Sequence, residues 1–256
     1  MRTQAMFRVW QGLLFAGLLG AWQGLAQYGV LPVFFFGEPL RVLGVLRDWV
    51  SSGLLFPHLG VTLTETLAAF LVGTGLGIGT GLWLGLSPFA ARLLDPYLKA
   101  ANAMPRVVLA PIFAMWFGLG MGSKIALGVT LVFFAVFFNV FQAVREVSPA
   151  ILANARMLGA SRLQLLRHVY WPAALSWVFS SLHISVGMAF VGAVVGEYLG
   201  AARGVGYLIL QAEGVFDINA VIAGLTVLTI CALVLDGAVT ALERRLLAWR
   251  PAGRGG

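Results

Sequence analysis

Long apolar stretches limit what this chain can fold into more than any other feature of its sequence. Crossing the hydrocarbon core of a bilayer takes about 20 mainly apolar residues in a helix. Windows of that length, bounded by charged or turn residues, cover residues 9–36, 60–86, 100–119, 125–144, 173–199 and 220–242. Only 11% of the residues are charged, against about 25% in soluble domains. The sequence therefore predicts an all-α, polytopic membrane helix bundle with about six transmembrane helices.

The first window has a competing interpretation. Arg2 and Arg8 precede an apolar run that ends at Gln27, which is the layout of a cleaved secretory signal. The apolar stretch nevertheless continues to Phe36 and is long enough to span a bilayer. We therefore expect an uncleaved first helix, followed by an external linker that ends at residue 56.

Basic residues set the expected orientation, because Arg and Lys beside short loops stay on the cytoplasmic side. With the N-terminus inside, most of the 17 basic residues fall in cytoplasmic segments. These are Arg2, Arg8, Arg92, Lys99, Arg145, Arg156, Arg162, Arg167, Arg244, Arg245, Arg250 and Arg254. Arg41, Arg47, Lys124 and Arg203 fall outside, and Arg106 lies within a window. The pattern predicts a multi-pass membrane protein with both termini cytoplasmic, and no nucleic-acid partner.

Glycine recurs every four residues in the second window, at Gly73, Gly77, Gly81 and Gly85. This spacing puts the glycines on one helix face, where small residues let two helix backbones approach closely in lipid. We expect this face to pack tightly, either inside the bundle or against a second copy of the chain.

The third window contains Pro105 and Pro111 together with Asn102 and Arg106. Proline interrupts the hydrogen-bond ladder of a helix. A broken helix at membrane depth is tolerated where it is buried or lines a cavity. We therefore expect the third window to line a route through the bundle.

A basic stretch between the fourth and fifth windows, residues 147–170, has apolar residues at helical spacing. Gly159 lies in its middle, and Ser161 stands where it can cap a new helix. Pro172 is then expected to open the fifth window. The pattern predicts two short amphipathic helices that meet at a bend on the cytoplasmic side. Such an element either lies against anionic headgroups or docks as a knob into a cytoplasmic partner.

The residues of this stretch also carry a resemblance. "NARMLGAS" followed by "VYWP" resembles the cytoplasmic signature loop of permease subunits of binding-protein-dependent ABC importers. That loop reads Glu-Ala-Ala, three residues, Gly, nine residues, Ile, one residue, Leu-Pro. Aligned on Gly159, the matching positions are Ala153, Asn154, Ala155, Val169, Trp171 and Pro172. Ala153 replaces the usual Glu, so a salt bridge made by that Glu in relatives is not expected here.

The resemblance extends over residues 58–251. "NAMPRVVLAPIFAMWFGLGMGSKIALG", "VVGEYLGAARGVGYLI" and "LERRLLAWRP" resemble the branch of these permeases that imports nitrate, sulfonates, taurine and related small solutes. It implies a type I ABC importer permease domain over residues 57–245, after an N-terminal transmembrane helix and linker in residues 1–56. It also implies a homodimer in the bacterial inner membrane, surrounded by membrane lipid. Its implied partners are two cytoplasmic ABC ATPase subunits that bind the ATP and an external or periplasmic solute-binding protein. The ATPase-coupling loop would comprise Ala153, Asn154, Ala155, Arg156, Gly159, Ala160, Ser161, Arg162 and Pro172.

Motifs for catalysis are missing from the sequence. The nearest approach to a phosphate-binding P-loop is "GLGMGSK", which ends at Lys124 and has the residues in the wrong order. Neither H-E-x-x-H nor G-x-S-x-G occurs, and the lone Cys231 provides no disulfide. We expect no catalytic residue, metal or cofactor in the chain itself.

Polar residues within the windows are candidates for a translocation path, because they are costly in lipid. The polar candidates are Asn102, Arg106, His183 and Glu197. Pro105 is a candidate as well, because it breaks the third window. His183 is expected on a polar face with three nearby serines. Glu197 and Arg106 have a simpler alternative, a pair that only holds two helices together.

The acidic residues Asp236 and Glu65 each have more than one interpretation. Asp236 fits a cytoplasmic interface, paired with Arg244 or Arg245, and Glu65 fits an interfacial position as well. A competing function is an ion-coupled secondary transporter in which Glu65, Asp236 and His183 relay protons. That class commonly has inverted repeats, and no repeat is evident between the two halves of the chain.

Overall fold

Helices account for all regular structure in the computed structural model, which describes residues 2–247, with side chains from Met6 onward. Arg250, Pro251 and Arg254 lie outside the described residues. In chain order the helices are α1 (Arg2–Gln27), α2 (Val33–Phe36), α3 (Pro39–Ser51), α4 (Leu55–Leu86), α5 (Pro88–Ala103), α6 (Ala110–Phe117), α7 (Met121–Arg145), α8 (Pro149–Met157), α9 (Arg162–Leu165), α10 (Trp171–Tyr198), α11 (Val205–Gly214) and α12 (Ile218–Leu246).

Four helical stretches of the described residues are long and apolar enough to cross a membrane: Leu55–Leu86, Met121–Arg145, Arg162–Tyr198 and Ile218–Leu246. Helix α5 and the segment Arg106–Phe117 would add a fifth if the bent pair forms one span. Helix α1 does not meet the same criterion of length and composition. The all-α membrane bundle is thus confirmed, with four or five spans by this criterion where the apolar windows suggested about six.

The glycine face of α4 packs against α7 along most of its length. A Cβ added at Gly73 would lie 2.7 Å from the Cβ of Val132, and one at Gly77 would lie 2.8 Å from the Cβ of Val136. Gly81 and Gly85 meet Val140 and Val144 in the same way. The predicted tight packing is therefore confirmed, and it occurs inside the bundle.

The first window is not one continuous helix. Helix α1 ends at Gln27 because Gly29 adopts a positive φ of 74° and Pro32 has no backbone N–H to continue a helix. The expected external linker contains the amphipathic helix α3, which buries Val42. Gln23 of α1 donates a hydrogen bond to the Oε1 atom of Glu38 at 2.6 Å and so ties α1 to the start of α3.

The third window is broken, as its prolines predicted, but its boundaries were wrong. Helix α5 begins at Pro88, within a segment expected to be a cytoplasmic loop, and ends at Ala103. Met104 and Pro105 are extended, since a proline disfavours helical geometry in the residue before it. A 3-10 turn, Arg106–Leu109, leads into α6, and the two arms meet at 85°.

The loop over residues 147–170 bends where expected. Helix α8 ends before Gly159, whose φ is 81°, and Ser161 and Gln164 form a reciprocal capping box at the start of α9. The second short helix is not separate, however, because α9 continues through a π-helical turn, Leu166–Tyr170, into α10. Pro172 therefore lies within a long helix rather than at its start. A π turn re-routes the hydrogen bonds that the missing proline N–H would break.

Candidate functional site

The predicted coupling loop, α8 to α9, protrudes with its residues largely exposed. Met157 and Leu158 at the bend are 80% and 89% exposed, and Leu163 of α9 is 72% exposed. A groove of about 310 Å³ beside them is lined by Ala155, Leu158, Gly159, Ala160, Gln164, Leu165, His168 and Val169. Large apolar side chains in water are unfavourable unless another surface covers them. The loop therefore has the properties of a docking element.

A second cleft lies between this loop and the end of α4. It has a volume of about 390 Å³ and is lined by Leu86, Arg156, Arg162, Leu165, Leu166 and Tyr170. Arg156 and Arg162 thus face the same cleft from the two sides of the bend. Leu165 is buried at the root of the loop, which fixes the loop to the bundle.

Glu197, near the C-terminal end of α10, is fully buried among three helices. Its Oε1 atom accepts a hydrogen bond from the Thr62 hydroxyl of α4 at 2.6 Å, and its Oε2 atom accepts one from the Gly206 amide at 2.7 Å. The same hydroxyl oxygen accepts a hydrogen bond from the Val205 amide at 2.8 Å. The first amides of a helix have no partner within the helix, so Glu197 and Thr62 together cap α11.

Two more charged side chains are buried beside Glu197. Glu65 lies one helical turn after Thr62 and is 1% exposed, and its Oε2 atom has no hydrogen-bond partner among the described residues. Lys124 is 2% exposed and donates from its Nζ atom to the carbonyl oxygens of Leu119 and Gly120. One ammonium group therefore lies near two carboxyl groups and can balance the charge of one of them.

Two helix starts beside this cluster differ from the predicted ones. Helix α4 begins at Leu55 rather than near residue 60, so Glu65 lies about three turns from its start, and its side chain is buried in the bundle. Lys124 does not lie in an external loop, because α7 begins at Met121 and the lysine side chain folds back over the preceding turn.

His183 bridges α10 and α12 through two carboxylates. Its Nδ1 atom lies 2.6 Å from the Oδ1 atom of Asp236, and its Nε2 atom lies 3.2 Å from the Oε2 atom of Glu243. Asp236 does not pair with Arg244 or Arg245, as one alternative proposed, because its face of α12 is turned toward α10. The three side chains remain partly exposed.

The polar face expected around His183 is only partly present. Ser180 is exposed beside it, whereas Ser181 and Ser185 are buried. No hydrogen bond or ion pair within residues 6–247 joins Glu65 to His183 or Asp236. The three residues of the hypothetical proton relay are thus divided between two separate sites.

Arg106 is held by its own segment. Its Nη2 atom donates hydrogen bonds to the carbonyl oxygen of Asn102 at 3.1 Å and to the Asn102 side chain, and its guanidinium lies 4.5 Å from the ring centroid of Phe134. The chain break at Pro105 brings Asn102 and Arg106 together in this way. The alternative in which Arg106 pairs with Glu197 is wrong, because Glu197 is enclosed by α4 and α11.

An apolar cavity lies between the broken segment and the C-terminal part of α10. Its volume is about 380 Å³, and it is lined by Val107, Val108, Pro111, Val194, Val195, Tyr198 and Leu199. The cavity follows directly after Arg106 along the chain. The residues that follow Arg106 therefore border an open space, whereas Asn102, Pro105 and Arg106 themselves do not line it.

Thr62 and His58 are the site residues that sequence analysis missed. The Nδ1 atom of His58 lies 3.1 Å from both the amide nitrogen and the carbonyl oxygen of Gly204, and its ring stacks on Tyr207. The sequence signal that could have revealed Thr62 was the polar run "TLTETL", residues 62–67, within an apolar window. Which of these side chains faces the core depends on the true start of α4, and the hydropathy window did not locate it.

Known proteins resemble the chain over most of its length. A family model described as "Binding-protein-dependent transport system inner membrane component" matches residues 73–248. The putative aliphatic sulfonates transport permease protein of Bacillus subtilis is 34% identical over 238 residues, covering 93% of this chain and 86% of that protein. The taurine transport system permease protein of Escherichia coli is 31% identical over 239 residues, covering 91% and 87%.

Other similar proteins are named for different solutes. The riboflavin transport system permease protein of Chloroflexus aurantiacus is 33% identical over 232 residues, covering 91% of this chain and 87% of that protein. Among solved structures, a chain of the MetNI methionine ABC transporter in an inward facing conformation has a TM-score of 0.66 at 19% identity, covering 75% of this chain and 95% of that chain. At that identity the likeness concerns the fold.

Proposed function

The chain belongs to the family of binding-protein-dependent transport system inner membrane components, and from this premise we propose how its parts serve import. It is the transmembrane permease subunit of an ATP-driven ABC importer and is not itself the ATP-hydrolysing enzyme. We propose that two copies form the translocation path in the inner membrane, with both termini cytoplasmic. Two ATPase subunits bind the ATP inside, and a solute-binding protein delivers the solute outside.

The α8–α9 loop is proposed as the contact with the ATPase, and one observation carries this proposal. Met157 and Leu158 stand exposed at a bend made rigid by the capping box of Ser161 and Gln164. Since α9 is continuous with α10, a displacement of the bend is transmitted directly into a spanning helix. ATP-driven closure of the ATPase pair would thereby move α10 as a lever and switch the bundle between outward and inward openings.

The test of coupling uses two variants at the bend, Leu158→Glu and Gly159→Glu, in the permease co-expressed with its ATPase and reconstituted in liposomes. We expect each to reduce ATP-dependent uptake and stimulated ATPase activity by at least tenfold, with membrane insertion unchanged. Leu158→Glu places a charge in the proposed interface, and Gly159 has a φ of 81° that other residues rarely adopt. Leu246→Glu, at the exposed end of α12, is the matched control. Unchanged uptake in both bend variants would remove the proposed mechanism.

The path is proposed to run between the broken third segment and α10. The apolar cavity begins at Val107, directly after Asn102, Pro105 and Arg106 along the chain. His183 lies on the partly exposed face of α10. Glu197 is proposed to shape the external end of the path through α11 rather than to line it, since it is fully buried. The ion-coupled alternative has no support from the relatives, which are permeases of ATP-driven importers.

The solute is proposed to be a small one of the nitrate, sulfonate or taurine kind. Permeases named for aliphatic sulfonates and for taurine are among the similar proteins and support this class. Titrating the cognate external binding protein with taurine, an alkanesulfonate, nitrate and riboflavin by calorimetry would test it. Tight binding of riboflavin alone would contradict the proposal.

A further inference from the structure

A cavity of about 430 Å³ opens at the end of the bundle that carries the coupling loop. It lies between the C-terminal ends of α4 and α7 on one side and α5 on the other. Its lining consists of Leu84, Gly85, Pro88, Ala91, Arg92, Asp95, Lys99 and Arg145. We call it the α4–α5 cavity. None of the functions proposed above uses it.

The charge of the α4–α5 cavity is positive. Three cationic side chains face one carboxylate, which gives the lining a formal net charge of +2. Asp95 is already engaged by Lys99, with 2.6 Å between the Oδ2 and Nζ atoms. Within the described residues, no carboxylate forms an ion pair with Arg92 or Arg145. These two guanidinium groups are therefore available to a ligand that is an anion.

Exposed apolar and aromatic side chains neighbour the cavity-lining residues along the chain. Trp83, Leu86, Phe89 and Tyr97 are all exposed. Helix α4, a candidate membrane span, ends at Leu86, and α5 begins two residues later. Aromatic side chains concentrate at the depth of the lipid headgroups, so this end of α4 marks the boundary between hydrocarbon and water.

These observations identify the kind of ligand. An inorganic anion would use the guanidinium groups but not the apolar wall of Leu84, Pro88 and Ala91. An anionic phospholipid uses both, since its phosphate binds the cations and its chains cover the neighbouring apolar surface. Basic pockets between membrane helices on the cytoplasmic side are suited to such headgroups. We propose that the α4–α5 cavity binds the headgroup of an anionic phospholipid, with its acyl chains along Trp83, Leu86 and Phe89.

The experiment measures lipid retention on the purified full-length chain by native mass spectrometry, during titration with phosphatidylglycerol or phosphatidylcholine. We expect preferential retention of phosphatidylglycerol. Arg92→Gln combined with Arg145→Gln should weaken that retention by about thirtyfold, because each basic residue near an anionic lipid surface contributes roughly fivefold. The charge-retaining pair Arg92→Lys and Arg145→Lys should keep most of it.

The matched control is Arg244→Gln combined with Arg245→Gln, which removes the same charge from exposed positions at the end of α12. Its phosphatidylglycerol retention should stay within about threefold of the unmodified chain, because neither Arg244 nor Arg245 lines the α4–α5 cavity or would contact a headgroup bound there. Equal retention of the two lipids, or an equal loss in the control, would overturn the proposal. It would also be overturned if inorganic phosphate at millimolar concentration, or added ATPase subunits, displaced the lipid. Those results would assign the cavity to a free anion or to a protein surface.

Discussion

At the scale of single residues, the most constrained side chain is Glu197. Both of its carboxylate oxygens accept hydrogen bonds, one from Thr62 and one from the backbone of Gly206. The buried ammonium group of Lys124 lies close by. A group that is buried and bonded in this way is costly to replace, because its former partners then lose their hydrogen bonds without gaining water.

Replacing Glu197 by Gln should destabilise the protein by about 1–3 kcal/mol. The reason is that the amide has one acceptor oxygen, whereas the Thr62 hydroxyl and the Gly206 N–H donate to two oxygens of Glu197. The measurement is the thermal midpoint in detergent, which should fall. Thr64→Val is the matched control, because that hydroxyl is exposed and bonds only the Gly60 carbonyl of its own helix. If both variants have the same thermal midpoint as the unmodified chain, Glu197 does not stabilise the packing of α11.

At the scale of helices, the contact between α4 and α7 depends on glycine. Val136 lies opposite Gly77 and is fully buried, so the two helix backbones approach as closely as a missing side chain permits. Without a hydrophobic force between helices in lipid, such close approach is the main source of van der Waals stabilisation.

Gly77→Ala should therefore destabilise the bundle by about 1–3 kcal/mol through overpacking. The added Cβ would lie 2.8 Å from the Val136 Cβ and 3.0 Å from the backbone oxygen of Phe133. Gly75→Ala on the same helix is the control, because a Cβ there meets nothing within 4 Å, and alanine favours helix by up to about 1 kcal/mol. The midpoints of thermal unfolding should move in opposite directions, and a similar change in both would argue against the packing described.

At the scale of the whole molecule, the proposed transport cycle requires partner proteins, because this permease subunit does not itself hydrolyse ATP. The coupling loop is exposed at one end, and the capped α11 closes on α4 at the other. The proposed path borders only one side of α10. All three features fit a subunit that transmits motion generated elsewhere.

The isolated chain, reconstituted into liposomes without companions, should not accumulate solute against a gradient. With its ATPase and binding protein added, uptake should follow the ATP concentration. Dissipating the proton gradient at constant ATP should leave the initial rate within about twofold, because no step in the proposed cycle moves protons. Radiolabelled solute uptake is the measurement. Accumulation of solute against a gradient by the chain alone would refute the proposed dependence on the ATPase and the binding protein.

The sequence alone was sufficient for features that depend on local physics. Apolar length predicted the membrane bundle, the four-residue glycine spacing predicted close packing, and Pro105 predicted a broken segment. Gly159 and Ser161 predicted the bend, because a positive φ and a capping hydroxyl are decided within a few residues. The sequence motifs at that bend, together with those along residues 58–251, were also enough to identify the family.

Only the tertiary structure decided which polar side chains meet. Thr62 and Glu197 are separated by 135 residues in the chain, and His183 and Asp236 by 53. Their pairing depends on where each helix starts and how it is turned, and hydropathy windows do not locate a helix start to within one turn. A shift of two residues turns a helix by about 200°. The windows therefore predicted that Glu65 and Arg106 are embedded, while their partners followed from the packing of the helices.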